Sequence, residues 1–94
     1  MKYIHFNWDD KKDHNNYHKH GINFEEAKSV FFDPNAILIH DPDHSNDEDR
    51  YIIIGFSNKP RLLVVSHCYR KLYEEIRIIS ARKADKDETE TYGG

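Results

Sequence analysis

The pattern of apolar and polar positions divides the chain into a helical front part and a strand-rich back part. Residues 2–8 alternate between polar and apolar side chains, which predicts a first strand. Asp9 and Asn23 are favourable helix N-caps, and two helices are predicted after them. The first helix is expected to stop at Gly21 and the second at residues 33–34. The buried face of the second helix consists of apolar residues at helical spacing: Phe24, Ala27, Val30 and Phe31.

From residue 36 onward the apolar positions recur with a period of two. This pattern predicts four strands, at residues 36–40, 50–57, 61–68 and 72–80. The short connections between the later strands make neighbouring strands antiparallel. With a last helix the order is βααββββα, an α+β fold. We expect an antiparallel sheet with two N-terminal helices and a C-terminal helix, packed mainly on one face.

Residues 75–84 are predicted to pass from a strand into the last helix. Ser80 is a good N-cap, so this helix is expected over residues 81–92, with Arg82 and Lys83 in its first turn. Cations are unfavourable at a helix N-terminus because this end already carries partial positive charge. Two cations there, close to Arg77 of the strand, indicate an anion-binding place, and phosphate is the obvious candidate.

The composition predicts one domain over residues 1–94 with one modest core. No apolar run exceeds four residues, so no membrane-spanning helix is expected, and the N-terminus lacks the apolar segment of a signal peptide. Cys68 lies in an apolar strand pattern and has no cysteine partner in the chain. We therefore expect an inert thiol in a reduced, cytoplasmic protein.

The net charge of −3 hides an uneven distribution. Residues 1–49 carry five Lys and Arg against eleven Asp and Glu, whereas residues 50–86 carry nine against three. The last eight residues add three more acids. Either the acidic and basic parts neutralise each other in the fold, or the back part presents a basic surface that binds an anionic partner.

Two segments partly resemble metal sites. His14 and His18 are four residues apart on a polar helix, but no HExxH or CxxC motif accompanies them, so exposed histidines explain the spacing better. Residues 41–49 begin like a calcium loop but lack the glycine and the glutamate that an EF-hand requires, which favours a solvated hairpin loop. His20 either bonds the carbonyls at its helix end or faces a ligand. We expect no metal and no cofactor.

Polar groups of the last two strands offer a second candidate site. If the strands pair in a suitable register, His67 and Arg77 lie close together on one sheet face, and a slip of one residue separates them. Glu75 shares a face with Arg77. The group either forms a Glu–Arg–His network that holds the sheet, or positions a phosphodiester, stabilises its charge and moves protons.

A series of motifs runs through nearly the whole chain. They are Phe6-x-Trp8-Asp9, Lys19-His20-Gly21, Phe24-x-Glu26-Ala27, Asp41-Pro42-x-His44-Ser45, Glu48-x-Arg50, Leu62-x-Val64-Val65-x-His67 and Arg77-Ile78-Ile79-Ser80-Ala81-Arg82. With these motifs the chain resembles the BrnT toxins of bacterial type II toxin–antitoxin modules. The resemblance implies a RelE-like fold, in agreement with the order βααββββα.

The resemblance also implies an activity, a metal-independent endoribonuclease that inhibits translation and growth by cutting RNA. The RNA's own 2′-hydroxyl is then the attacking group. The expected catalytic residues are His67, Arg77, Arg82 and Glu75, with the arginines on the phosphate and His67 or Glu75 transferring protons. The expected RNA contacts are Lys19, His20, Arg50, Arg70, Lys83 and Tyr92.

A protein partner is implied as well. By resemblance, a BrnA-like ribbon-helix-helix antitoxin neutralises the toxin in an assembly of two toxins and two antitoxins. Operator DNA is contacted only through the antitoxin. The last helix departs from the family, because Asp85, Thr89 and Thr91 replace a threonine and two basic residues. The alternative function is therefore a catalytically degenerate homologue that binds the antitoxin and tunes operon repression.

Overall fold

Strands and helices follow one another in the order βααββββα, as predicted, in the computed structural model, which describes residues 4–45 and 48–93. The strands are β1 His5–Asn7, β2 Ile37–Asp41, β3 Arg50–Phe56, β4 Leu62–Arg70 and β5 Glu75–Lys83. The helices are α1 Asp10–His20, α2 Phe24–Ser29 and α3 Lys86–Gly93, and short 3-10 turns lie at Val30–Phe32 and Pro42–His44. Within these residues, no helix combines the length and apolarity needed to cross a bilayer.

The strands form one mixed sheet in the order β1-β5-β4-β3-β2. Strands β2 to β5 are antiparallel neighbours, as their short connections predict. The expectation of a fully antiparallel sheet is wrong, because β1 lies parallel to β5 at the edge. These two strands are far apart in sequence, so no tight turn dictates their relative direction.

The boundary between β5 and α3 lies later than predicted. Ser80 pairs with Ser66, and Arg82 pairs with Val64, so both belong to the strand and Ser80 caps no helix. The cap is Asp85, whose Oδ1 accepts from the Glu88 backbone N–H at 2.8 Å while Glu88 Oε1 accepts from the Asp85 N–H at 2.9 Å. This reciprocal pair is a capping box. Strand pairing to residue 83 outcompetes the weaker local signal of Ser80.

The turn between β4 and β5 also lies later than predicted, so β5 begins at residue 75. Lys71, Leu72 and Tyr73 have φ angles of 51°, 56° and 70°, in the left-handed region that residues other than glycine seldom adopt. This tight reversal lets Tyr69 and Arg70 remain in β4.

Helices α1 and α2 cover one face of the sheet, here called the covered face. Apolar side chains form the core between the layers: Ile22, Phe24, Ala27, Val30, Ile53, Leu63, Val65, Ile76, Ile78 and Ala81. At Gly55 a Cβ atom would lie 3.0 Å from Val30 Cγ1 and 3.1 Å from Ala36 Cβ, so the close approach of the 3-10 turn to β3 requires glycine there.

Helix α3 packs against the opposite face, here called the open face. Ala81 and Ile53 point into the core, so Arg82 and Phe56 project from the open face by strand alternation. Both contact α3: the Phe56 and Tyr92 ring centroids are 5.3 Å apart, and Arg82 bonds Glu88. The expectation that the helices lie mainly on one face holds for α1 and α2 only.

Candidate functional site

Three arginines project from the open face. Arg50 of β3 and Arg77 of β5 both pair with Cys68, from opposite sides of β4, and Arg82 pairs with Val64 two rows away. Arg77 lies between Ile76 and Ile78, which point into the core, so its side chain takes the other face. These three arginines make the open face basic. Elsewhere the acidic and basic parts neutralise each other, since Arg61 pairs with Glu26 and Arg70 pairs with Glu48.

Two of these arginines share a pocket of about 220 Å³. Its walls come from four strands and the turn after β2: Asp41, His44, Arg50, Ile52, Val64, Ser66, Ile79, Ser80 and Arg82. Two guanidinium groups and two serine hydroxyls give the pocket many hydrogen-bond donors. Guanidinium forks bind the oxygens of carboxylates and phosphates with paired hydrogen bonds. We call this cavity the arginine pocket.

Arg82 already holds a carboxylate. Its Nη1 and Nη2 lie 2.7 Å from Oε1 and Oε2 of Glu88, a bidentate ion pair. This pairing lowers the pKa of Glu88, whose side chain is 17% exposed, while that of Arg82 is 45% exposed. The two carboxylate oxygens take the positions that two oxygens of a bound anion would take. An anion in the pocket therefore competes with Glu88 for Arg82.

Arg77 and Glu75 belong to a polar row at the junction of β5 with β1. Arg77 Nη1 donates to Asn7 Oδ1 at 3.1 Å. A hydrogen bond from Asn7 and the ammonium of Lys71, 3.2 Å away, lower the pKa of Glu75. A carboxyl held in its ionised form suits a structural ion pair better than proton donation. The described part of the arginine pocket includes neither residue of this row.

His67 lies on the covered face, and the expectation that it meets Arg77 on one face is wrong. The residue is fully buried, with its ring centroid 4.8 Å from that of Phe31. Its pairing partner is Ile78, whereas Arg77 pairs with Cys68. Since β-strand side chains alternate, the two groups project from opposite faces.

The imidazole of His67 is satisfied without any charged partner. Nδ1 lies 3.1 Å from the Val65 carbonyl oxygen and Nε2 lies 3.1 Å from the Tyr69 hydroxyl. The carbonyl only accepts, so Nδ1 donates and Nε2 accepts from the hydroxyl. Burial lowers the pKa of His67 to about 4. The neutral ring is thus a core residue.

A second pocket of about 210 Å³ lies beside the arginine pocket. Lys19 and His20 of α1 line it together with Lys12, Asn15 and Asn16. Ile79 and Ser80 line both pockets, at the place where the β4–β5 pairing is irregular. A strip of cations therefore extends from the arginine pocket around β5 to the end of α1.

Asn16 fixes this end of α1 to the sheet. Its buried side-chain amide donates to the Ala81 carbonyl at 2.9 Å and accepts from the Ala81 N–H at 3.0 Å. The strand position next to Arg82 is thereby tied to the helix that carries Lys19. The spacing of apolar residues gave no hint of this role, because Asn16 is the one buried position of a helix that is polar nearly all round.

The remaining expected RNA contacts lie outside the described walls of both pockets. Arg70 pairs with Glu48 at 3.0 Å, and Lys83 is exposed at the end of β5. The Tyr92 hydroxyl donates to Asp33 Oδ2 at 2.6 Å, which holds α3 to the sheet. Four polar residues of the pocket were not among the expected site residues: Asp41, His44, Ser66 and Ser80. The alternation that places Arg82 would also have placed the two serines.

The candidate metal ligands and the cysteine have ordinary surroundings. The rings of His14 and His18 meet edge to face at 4.5 Å, and in residues 4–45 and 48–93 no three His, Cys, Asp or Glu side chains are arranged to hold a metal ion. Cys68 is buried in β4, as predicted, and burial raises the pKa of its thiol, so the reactive thiolate is disfavoured.

These features define a small α+β protein with a donor-rich pocket on one face of a mixed sheet. The model of the family described as "Ribonuclease toxin, BrnT, of type II toxin-antitoxin system" matches residues 8–88. The chain belongs to this BrnT toxin family. The 1.1 Å crystal structure of the Brucella abortus ribonuclease toxin BrnT superposes with a TM-score of 0.62 at 26% identity, over 92% of this chain and 99% of that chain. The comparison with curated proteins gave no match.

Proposed function

We propose that this chain is a type II toxin that acts as a metal-independent endoribonuclease on a RelE-like arrangement of the fold, and that it inhibits translation and growth. The observation that carries the proposal is the arginine pocket, in which Arg50, Arg82 and two serine hydroxyls converge from three strands. The family description, a ribonuclease toxin, supports the same conclusion.

The pocket chemistry suits RNA cleavage by the substrate's own 2′-hydroxyl. Attack of this oxygen on phosphorus places additional negative charge on the phosphate oxygens. Fixed guanidinium groups stabilise that charge best when they are already oriented before the reaction. We expect Arg50 and Arg82 to take this role. Arg77, in the same row as Arg50 on the other side of β4, adds attraction for the RNA backbone.

The strip of cations gives the RNA strand a path. Lys12, Lys19 and His20 lie next to the arginine pocket across Ile79 and Ser80. A bound strand that follows this path places one phosphate between Arg50 and Arg82 and neighbouring phosphates near α1. Each cation that neutralises a phosphate raises the affinity and makes it more sensitive to salt.

A ribbon-helix-helix antitoxin is proposed as the partner, two copies with two toxins, and we expect it to cover the arginine pocket. Such a partner blocks cleavage most directly by occupying the anion site with its own acidic groups, and through it the pair contacts operator DNA. A complex that leaves Arg50 and Arg82 fully open would contradict this placement.

A second function is favoured by one observation, the ion pair between Arg82 and Glu88. Helix α3 also carries Asp87 and Glu90, so its surface repels phosphate. If Glu88 is never displaced, the chain is a degenerate toxin that binds its antitoxin and tunes operon repression without cutting RNA.

The test is RNA cleavage by the purified protein in the presence of a chelator. Arg82→Ala should reduce the cleavage rate by about 10²–10³-fold, because it removes a preorganised donor to the developing charge. The fold should survive, since the Arg82 side chain is 45% exposed and an ion pair at the surface contributes about 1 kcal/mol to the free energy of unfolding.

Lys59→Ala is the matched control, because it removes one exposed cation beside the covered-face residue Glu26. It should cut RNA at the unmodified rate. Cleavage by Arg82→Ala at the unmodified rate would reject this site. Antitoxin binding without any RNA cleavage by the unmodified protein would select the second function.

A further inference from the structure

Two residues of the arginine pocket have no part in the phosphate chemistry described so far. They are Asp41, the last residue of β2, and His44, from the 3-10 turn that follows it. His44 Nδ1 lies 2.9 Å from Asp41 Oδ2, and the side chains are 67% and 22% exposed. A histidine oriented by a carboxylate is a common arrangement for proton transfer.

Ser45 fixes this pair relative to Arg50. Its hydroxyl donates to the Asp41 carbonyl at 2.6 Å and accepts from the Arg50 backbone N–H at 2.9 Å. The 3-10 turn Pro42–His44 is closed by the Ser45 N–H, which donates to the Pro42 carbonyl at 3.3 Å. One serine therefore ties the turn to the end of β2 and to the start of β3, where the pocket begins.

Cleavage by a 2′-hydroxyl needs a group that accepts its proton. The pocket arginines are always protonated and cannot act as bases. His67 is buried on the covered face, and Glu75 is held by Asn7 and Lys71 outside the described pocket walls. Neither His67 nor Glu75, the two groups expected to transfer protons, is among the described residues that line the pocket.

We propose that His44 is the general base of the reaction and that Asp41 is its positioning residue. The inference rests on the proposed endoribonuclease activity. It gives His44 the proton-transfer role that the sequence analysis expected of His67 or Glu75. The Asp41 carboxylate only accepts, so the Nδ1 of His44 carries the hydrogen and Nε2 keeps a lone pair for the substrate.

The step balances without a metal or a redox partner. The 2′-oxygen forms a bond to phosphorus as its proton moves to His44 Nε2, while Arg50 and Arg82 stabilise the charge on the phosphate oxygens. The bond from phosphorus to the 5′-oxygen then breaks, and that oxygen takes a proton from water. The hydroxide that remains takes the proton from His44 Nε2, which regenerates the base. The products are an RNA end with a 2′,3′-cyclic phosphate and an RNA end with a 5′-hydroxyl.

The experiment measures single-turnover cleavage of an end-labelled single-stranded RNA, and binding of the same RNA with its 2′-hydroxyls methylated. His44→Ala and His44→Gln should lower the rate by about 10²–10⁴-fold and leave binding within about threefold, because only proton transfer is removed. Added imidazole should restore part of the rate of His44→Ala.

His40→Ala provides a matched control. His40 also contacts a carboxylate, with Nε2 3.3 Å from Asp49 Oδ1, but it lies outside the described walls of the arginine pocket. It should cut at the unmodified rate. For Asp41→Asn the rate constant should fall with KM unchanged, and Asp41→Glu should recover part of it. A purely structural role would instead weaken binding and lower the melting temperature.

The outcomes separate this inference from the proposed function. Cleavage by both folded His44 variants at the unmodified rate would overturn the role of His44 and leave the endoribonuclease in place. Loss of RNA binding in those variants, without rescue by imidazole, would make His44 a binding residue and also reject the inference. Failure of the unmodified protein to cut any RNA would reject the proposed function and the inference with it.

Discussion

The two faces of the sheet use charged and polar side chains for opposite purposes. On the covered face a glutamate and a histidine are buried, an arginine is partly exposed, and all three are satisfied by neighbouring groups. On the open face two arginines, a histidine and an aspartate line an accessible pocket. Accessibility and pairing, rather than residue type, therefore decide which charged groups are available for chemistry.

The two Glu–Arg pairs show this difference most directly. Glu26 is 3% exposed, and its carboxylate accepts from Arg61 Nε and Nη2, both at 2.6 Å, and from the Ser57 hydroxyl at 2.7 Å. The hydrogen-bonded Arg61 guanidinium lowers the pKa of Glu26. The Glu88–Arg82 pair has the same bidentate form but lies at the surface of α3.

Glu26→Gln should give the largest loss of stability. It leaves Arg61 facing a neutral amide in a largely buried network, and breaking a buried pair costs about 3 kcal/mol or more of the free energy of unfolding. Urea unfolding measures the loss. If Glu26→Gln and Glu88→Gln destabilise the protein equally, the contrast between the two faces is wrong.

Acid should lower the free energy of unfolding because His67 is buried in its neutral form. Its pKa is about 4 in the folded protein and 6.5 when unfolded, so the unfolded chain binds an extra proton between these values. Stability should therefore fall as the pH drops from about 6.5 to about 4, by at most about 3 kcal/mol. Glu26, with its lowered pKa, contributes mainly below this window.

His67→Gln should make the free energy of unfolding less dependent on pH in this range, whereas His44→Gln should leave that dependence unchanged. The free energy of unfolding measured at pH 7, 5.5 and 4.5 tests the difference. An unchanged slope in His67→Gln would show that another group titrates there.

Glu88→Gln should have the smallest effect on stability, about 1 kcal/mol or less, because the Arg82 side chain is 45% exposed and water screens the pair. It frees the Arg82 guanidinium from a competing carboxylate, so RNA affinity should rise, by about fivefold for a surface interaction of this size. Glu90→Gln removes one charge from the same helix and is the control. Equal gains in both variants would attribute the effect to net charge alone.

Local signals correctly predicted where the first two helices begin, but α2 ends at Ser29 and a 3-10 turn follows, before the predicted end at residues 33–34. Asp9 Oδ1 accepts from the Lys12 N–H at 3.0 Å and Asn23 Oδ1 accepts from the Glu26 N–H at 2.8 Å, as their positions before the helices indicated. These caps involve residues three apart, so the sequence contains everything that they require.

Non-local pairing explains where the predictions failed. The end of β5 depended on β4, the parallel placement of β1 depended on β5, and the separation of His67 from Arg77 depended on the faces that the two strands turn to the core. The sequence of residues 41–49 suggested only a solvated hairpin loop. Nothing local indicates that Asp41 and His44 line the same pocket as Arg50 and Arg82.

The sequence by itself determined that residues 50–86 form basic strands, that two capped helices precede them, and that the motifs are those of the BrnT toxins. Only the tertiary structure decided which cations meet in one pocket and which histidine accompanies them. The physical reason is strand alternation: side chains on one strand share a face at every second position, but only pairing with the neighbouring strands brings Arg50, Ser66 and Arg82 into one pocket.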